Sequence, residues 1–103
     1  MQKYPVRASH RANLGLETLA SLCRAHFEGG TIEEGSVRSA YGAISRLSAR
    51  GEGRALLVEL VMDPKVPEDV ARETIGRYNR FLEETTGYSS KERARRLKKE
   101  PAG

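Results

Sequence analysis

Two side chains that could together bind a metal, or act as nucleophile and base, stand three positions apart: Cys23 and His26. On a helix that spacing places both on one face. A structural zinc site needs four ligands, and the chain offers only one further histidine, His10, and no second cysteine. A nucleophilic cysteine needs an oriented base, which one helical spacing does not supply. The simpler assignment makes Cys23 a small core residue and His26 a helix-end residue near the negative pole of the dipole. Acidic neighbours occur at Glu33-Glu34, Glu68-Asp69 and Glu83-Glu84, but adjacent helical residues point apart and make no acid–base pair. Gly29-Gly30 is expected to end a helix, where it presents no amides to a phosphate. No catalytic set, metal site or cofactor is expected, and the chain is read as a non-enzyme.

The cations say more. Residues 89–103 hold Lys91, Arg93, Arg95, Arg96, Lys98 and Lys99 against only Glu92 and Glu100. Those six cations and two acids account for the whole net charge of +4, leaving 12 of the 18 basic and 12 of the 14 acidic residues to balance within 1–88. A helix so charged favours nucleic acid through salt-sensitive, sequence-independent phosphate contacts, or an acidic protein. No aromatic residue follows Tyr88, which argues against base stacking on single strands. A solvated terminus that aids solubility is the alternative. Upstream, Arg38, Arg46, Arg50 and Arg54 are the only basic residues between positions 31 and 63. If Leu47 and Ala49 face a core, Arg46 and Arg50 face outward together and could hold an anion bidentately. The plainer reading is a solvated sheet face with Glu52 and Glu59 pairing across strands.

These residues must be positioned by a short series of elements. Lys3–Arg7 reads as an extended segment with Tyr4 and Val6 on one face, and Pro5 confines it to an edge. Leu16, Leu19, Ala20, Cys23 and Phe27 build the apolar stripe of a helix over 13–27, capped by Asn13 or Ser9 and ended by Gly29-Gly30. From 31 to 63 the period shifts toward two: short strands over 31–34, 36–41 and 43–50, a hairpin loop at Gly51-Glu52-Gly53, and a strong strand over 55–62. A helix over 36–50 is the alternative for that stretch, since Ala and Arg are common there. Pro67 suits the first position of a second helix, with Glu68 and Asp69 at its positive end. Its stripe is Ala71, Thr74, Ile75, Tyr78, Phe81 and Leu82, with Gly76 as an interior flaw or a point of close packing. Gly87 ends it, Tyr88 folds back over its last turn, and Ser89-x-x-Glu92 forms a capping box for a last helix. The expected fold is an α+β two-layer sandwich: strand, helix, antiparallel meander and helix, with 1–88 as the domain and 89–103 as a basic helical tail.

The strand over 55–62 breaks simple alternation. Leu56, Val58, Leu60 and Met62 form one apolar face, while Ala55, Leu57 and Val61 make the other apolar too. Something must then cover the second face: the tail helix through Ala94 and Leu97, or a second copy in a homodimer with Leu57 and Val61 at its interface. No apolar run approaches the roughly 18–20 residues that span a bilayer, and no signal-peptide stretch opens the chain. With one cysteine and no internal disulfide, a cytoplasmic setting is expected.

Tyr41-Gly42-Ala43, the strand Leu57-Val58-Glu59 leading to Met62-Asp63-Pro64, and above all residues 77–93 (RYNRFLEETTGYSSKER) resemble a family of small uncharacterised archaeal proteins. The resemblance implies a two-layer sandwich similar to one half of the TATA-binding-protein fold. It implies no activity and no site residue. TATA-box recognition itself needs two halves and apolar wedges between bases, and one half-length chain without an aromatic wedge pair does not offer them.

Overall fold

The computed structural model describes residues 2–99. Strand β1 (Gln2–Pro5) leads through a 3-10 segment (Ala8–Leu14) into helix α1 (Leu16–His26). Strands β2 (Glu28–Glu33), β3 (Ser36–Tyr41), β4 (Ile44–Glu52) and β5 (Ala55–Met62) follow, then helices α2 (Glu68–Thr86) and α3 (Ser90–Lys99). The five strands form one antiparallel sheet in the order β1-β5-β4-β3-β2. The meander therefore pairs in chain order, and β1 closes the far edge beside β5, where Pro5 withholds no hydrogen bond that a second neighbour would need.

Alternation decides which face the helices cover. Tyr4, Val37, Leu47, Ala49, Leu56 and Val58 all lie on one face and are 8% exposed or less. Against them α1 sets Leu19, Ala20 and Cys23, and α2 sets Phe81 and Leu82. Each such large apolar side chain removed from water contributes about 1.5–3 kcal/mol. Phe27 and Phe81 meet with ring centroids 5.1 Å apart, closing the core between the strand after α1 and the helix α2.

Several boundaries differ from the sequence reading, each because a tertiary partner claims the residue. Helix α1 starts after Gly15, not at Asn13. Asn13 Nδ2 instead donates to the carbonyls of Glu84 and Thr85, 3.3 Å each, which are otherwise open acceptors at the end of α2. Ser9 caps nothing and bonds His10. The helix ends at His26, and Gly29-Gly30 lie within β2. Gly30 sits against α1, where a Cβ would stand 2.5 Å from the Ala20 carbonyl oxygen. Close helix–sheet approach, not helix termination, places that glycine. At the β4–β5 hairpin, β4 runs through Gly51 to Glu52, which pairs with Ala55, so the turn is the two residues Gly53-Arg54.

Helix α2 corrects its expected stripe. Ile75 is 53% exposed, whereas Thr74, Thr85 and Thr86 are fully buried. Thr74 and Thr86 hide their polarity by donating to Val70 and Leu82 carbonyls, one turn back, at 2.7 and 2.6 Å. Thr74 Oγ1 also accepts the Ala43 amide at 3.0 Å, tying α2 to the β3–β4 turn.

Candidate nucleic-acid interface

Helix α3 is the most basic element, and its placement begins at the end of α2. Gly87 adopts a left-handed conformation with φ 81°. A Cβ there would stand 2.7 Å from His10 Nδ1 and 2.8 Å from Arg7 Cδ, so the chain turns tightly against the segment after β1. Tyr88 folds back as expected and is 7% exposed. The expected capping box forms: the Ser89 amide donates to Glu92 Oε1 and the Glu92 amide donates to Ser89 Oγ, both 3.2 Å. Glu92 also pairs with Arg7 at 2.8 Å, and Arg7 Nε donates to the Gly87 carbonyl at 2.7 Å. The Ser89 amide, with Arg7 beside it, holds the Glu92 carboxyl below its ordinary pKa.

Two guanidinium groups stack on Tyr88, Arg7 at 4.5 Å and Arg96 at 4.2 Å from the ring centroid. Arg93 goes further inward. It is 5% exposed, donating to the Tyr88 carbonyl at 2.6 Å and to Asn79 Oδ1 at 3.2 Å. The hydroxyls of Tyr4 and Tyr78 meet nearby at 3.1 Å, and Tyr4 also bonds Gln2. Burial lowers the Arg93 pKa, and burial together with the Tyr4 hydrogen bond raises that of Tyr78. Tyr78, Asn79, Tyr88 and Arg93 all belong to the stretch that carried the sequence resemblance. Its residues build the α2–α3 corner.

The expected phosphate-contacting set therefore divides. Lys91, Arg95 and Arg96 are exposed on α3. Arg93 is a correction: its guanidinium is committed to Tyr88 and Asn79 inside the molecule. The side chains of Lys98 and Lys99 lie outside the described residues, as does that of Leu97. The junction at 88/89 is bridged by Arg93, Glu92 and Arg96, so α3 docks on α2 and the Arg7 segment. Ala94, expected to help cover the second sheet face, is exposed.

Arg46 and Arg50 are exposed on the sheet face away from the helices, opposite Val61 and Leu57 respectively. Among the described residues neither forms an ion pair, and Glu52 and Glu59 do not engage them. Arg38 pairs instead with Glu33 at 3.7 Å. Leu57 is only 7% exposed within this one chain, set in register between Lys3 and Arg50 on the neighbouring strands. It needs no second copy to cover it, which corrects its assignment as an interface residue. Val61 is 42% exposed.

Cys23 and His26 serve separate ends. Cys23 is fully buried and its thiol is pushed up to about 12 by that burial. His26 Nε2 meets Glu84 Oε2 at 2.5 Å, linking α1 to α2. Among the described residues no group of three or more His, Cys, Asp or Glu side chains is placed to hold a metal ion, and no helix is long and apolar enough to cross a membrane.

A five-stranded antiparallel sheet with helices on one face, ending in a docked basic helix, defines the class as an α+β two-layer sandwich. The chain belongs to the family described as a domain of unknown function, DUF5611, whose model matches residues 1–99 and so takes in both the sandwich and α3. Among solved structures it is similar to a hypothetical protein from Thermoplasma acidophilum determined by NMR in solution. That match has a TM-score of 0.71 at 24% identity, covering 97% of this chain and 100% of the other. The likeness shows the fold. No curated protein matches.

Proposed function

We propose that this chain is a non-catalytic binding module that contacts nucleic acid through the exposed cations of α3. The observation that carries the reading is the docking of that helix: Arg93 is buried as an anchor and Arg96 stacks on Tyr88, while Lys91 and Arg95 are exposed. A fixed row of cations holds phosphates with less ordering cost than a loose tail would. The strand–helix–four-strand–helix order also supports likening the sandwich to one half of a TATA-binding-protein fold, although fold carries no function by itself. A buried unpaired cysteine fits a cytoplasmic protein.

Deleting residues 89–103 would remove Arg93 and the capping box together, so charge replacement is the cleaner test. Full-length protein and the variant Lys91→Gln/Arg95→Gln/Lys98→Gln/Lys99→Gln should be titrated with labelled nucleic acid across a salt series. Each lost phosphate contact lowers the salt slope of log K by about 0.9. An unchanged slope and affinity would refute the reading.

On the outer sheet face, self-association retains Val61, at 42% the one well-exposed large apolar side chain there among the described residues. Covering Leu57 within the chain removes its main support.

A further inference from the structure

The sheet face opposite the helices holds a second set of cations. Register places Lys3, Arg38, Arg46 and Arg50 on this face, with Arg54 at its hairpin end. The acids on the same face are Glu28, Glu33, Glu52 and Glu59. Arg38 and Glu33 neutralise each other. What remains is four cations against three acids, a net +1 on a face of a domain whose total is zero, with Glu28 on the far strand β2 and the arginines of β4 and its hairpin grouped together. The balance of residues 1–88 therefore carries −1, so the positive excess of the sandwich lies on its open sheet face.

We propose that this outer face is a second phosphate-contacting surface, and that its occupant is a nucleic-acid duplex held on its backbone without base readout. Three observations favour that ligand. The arginines are unengaged: among the described residues Arg46, Arg50 and Arg54 form no ion pair within 4.0 Å, so their planar donors are free for phosphate oxygens. Their spacing suits paired backbones. Arg46 and Arg50 stand four residues apart on one strand, about 13 Å, close to the roughly 12 Å width of a duplex major groove. The aromatic residues are all elsewhere. Tyr4, Phe27, Phe81 and Tyr88 are buried, Tyr78 bonds Tyr4, and Tyr41 lies on the helical side with its hydroxyl on Glu73. Single-strand binders depend on stacking platforms, and this face has none.

At the hairpin end the face opens into a concavity of about 620 Å³ lined by Lys3, Pro5, Glu52, Gly53, Arg54 and Ala55. It continues the same cationic surface and lets a curved backbone approach the edge of the sheet.

The surface goes beyond the α3 reading, and the two fail separately. The variant Arg46→Gln/Arg50→Gln/Arg54→Gln should be compared with wild type and with the α3 variant above. The probes are a 24-base-pair DNA duplex, its separate strands and polyglutamate, each over a salt series. Expected is duplex binding whose salt slope falls by about 2.7 in the sheet variant, roughly 0.9 for each contact. The separate strands should bind more weakly than the duplex. Retention of the full slope by the sheet variant, with loss confined to the α3 variant, overturns this surface and leaves the α3 reading intact. Loss confined to the sheet variant does the reverse. Preference for single strands or for polyglutamate also overturns it. So does a dimeric sedimentation mass abolished by Val61→Asp, which would give the face to a second copy. Circular dichroism of each variant must match wild type; should the triple variant misfold, the same comparison is made with Arg46→Gln and Arg50→Gln singly.

Discussion

Replacing Arg93 by leucine tests the anchoring of α3 most directly. Leucine keeps much of the buried volume but removes the donors that reach the Tyr88 carbonyl at 2.6 Å and Asn79 Oδ1 at 3.2 Å. Hydrogen bonds from a charged donor are each worth about 1.5–3 kcal/mol. The variant no longer desolvates a guanidinium on folding and buries an aliphatic side chain in its place, which recovers part of that sum. The expected net loss is about 2 kcal/mol, or a Tm lowered by roughly 8–16 °C for a domain of this size. Thermal unfolding by circular dichroism gives the total. Hydrogen exchange gives the location: amides of 90–96 should lose protection first, while those of β4 and β5 follow the global transition. A Tm within about 3 °C of wild type, with α3 amides still protected, would refute the anchoring argument. The outcome bears on function as well, because an undocked α3 presents the same charges without fixed geometry.

Two glycines should respond oppositely to alanine. Gly76 has open space, with the Arg80 guanidinium 3.7 Å from a built Cβ, so Gly76→Ala should stabilise α2 by about 0.5–1 kcal/mol in denaturant titrations. Gly42 has φ 52° and a Cβ there would stand 2.3 Å from Thr74 Oγ1. Gly42→Ala should therefore destabilise by about 2–3 kcal/mol, since the turn is strained and the Ala43–Thr74 bond is displaced. Cys23 gives a pH test. Its folded pKa is raised from 9.0 to about 12, so above pH 9 the unfolded thiol releases a proton that the folded one keeps. Stability should fall as pH rises through that window, and Cys23→Ala should flatten the decline between pH 9 and 11; an identical slope in both proteins would contradict this.

The helices' ends were readable where backbone chemistry is local. Pro67 with Glu68 and Asp69, Gly87, and the Ser89–Glu92 box each act within one turn: α2 begins one residue after Pro67 and ends before Gly87, and α3 begins after Ser89. Asn13 and Gly30 were misassigned because their partners lie far along the chain, on Glu84, Thr85 and Ala20. Thr74 was in the expected stripe, but the buried Thr86 was missed for a different reason: its hydroxyl bonds its own helix and so behaves as apolar surface, and residue type alone does not reveal that bond. Arg93 carried a usable signal, since it lies four before Leu97 on the face of α3 expected to be covered. A count of cations passed over it, because burial of a charge depends on acceptors such as Asn79, 14 residues away.

The same lesson applies to charge. Summed over residues 1–88 the domain is neutral, which puts the whole net charge on 89–103 and leaves Arg46 and Arg50 to read more plainly as a solvated face. Strand alternation divides that neutral sum by face. The arginines of β3 and β4 fall on the open side, while Glu68, Asp69, Glu73, Glu83 and Glu84 lie on α2. An approaching polyanion meets a surface potential, not a total, and the distance across the sandwich exceeds the roughly 8–10 Å over which salt lets opposite charges cancel. A charge-balanced domain can thus present a basic sheet, and the two cationic surfaces can be removed independently by substitutions that leave the buried Arg93 in place.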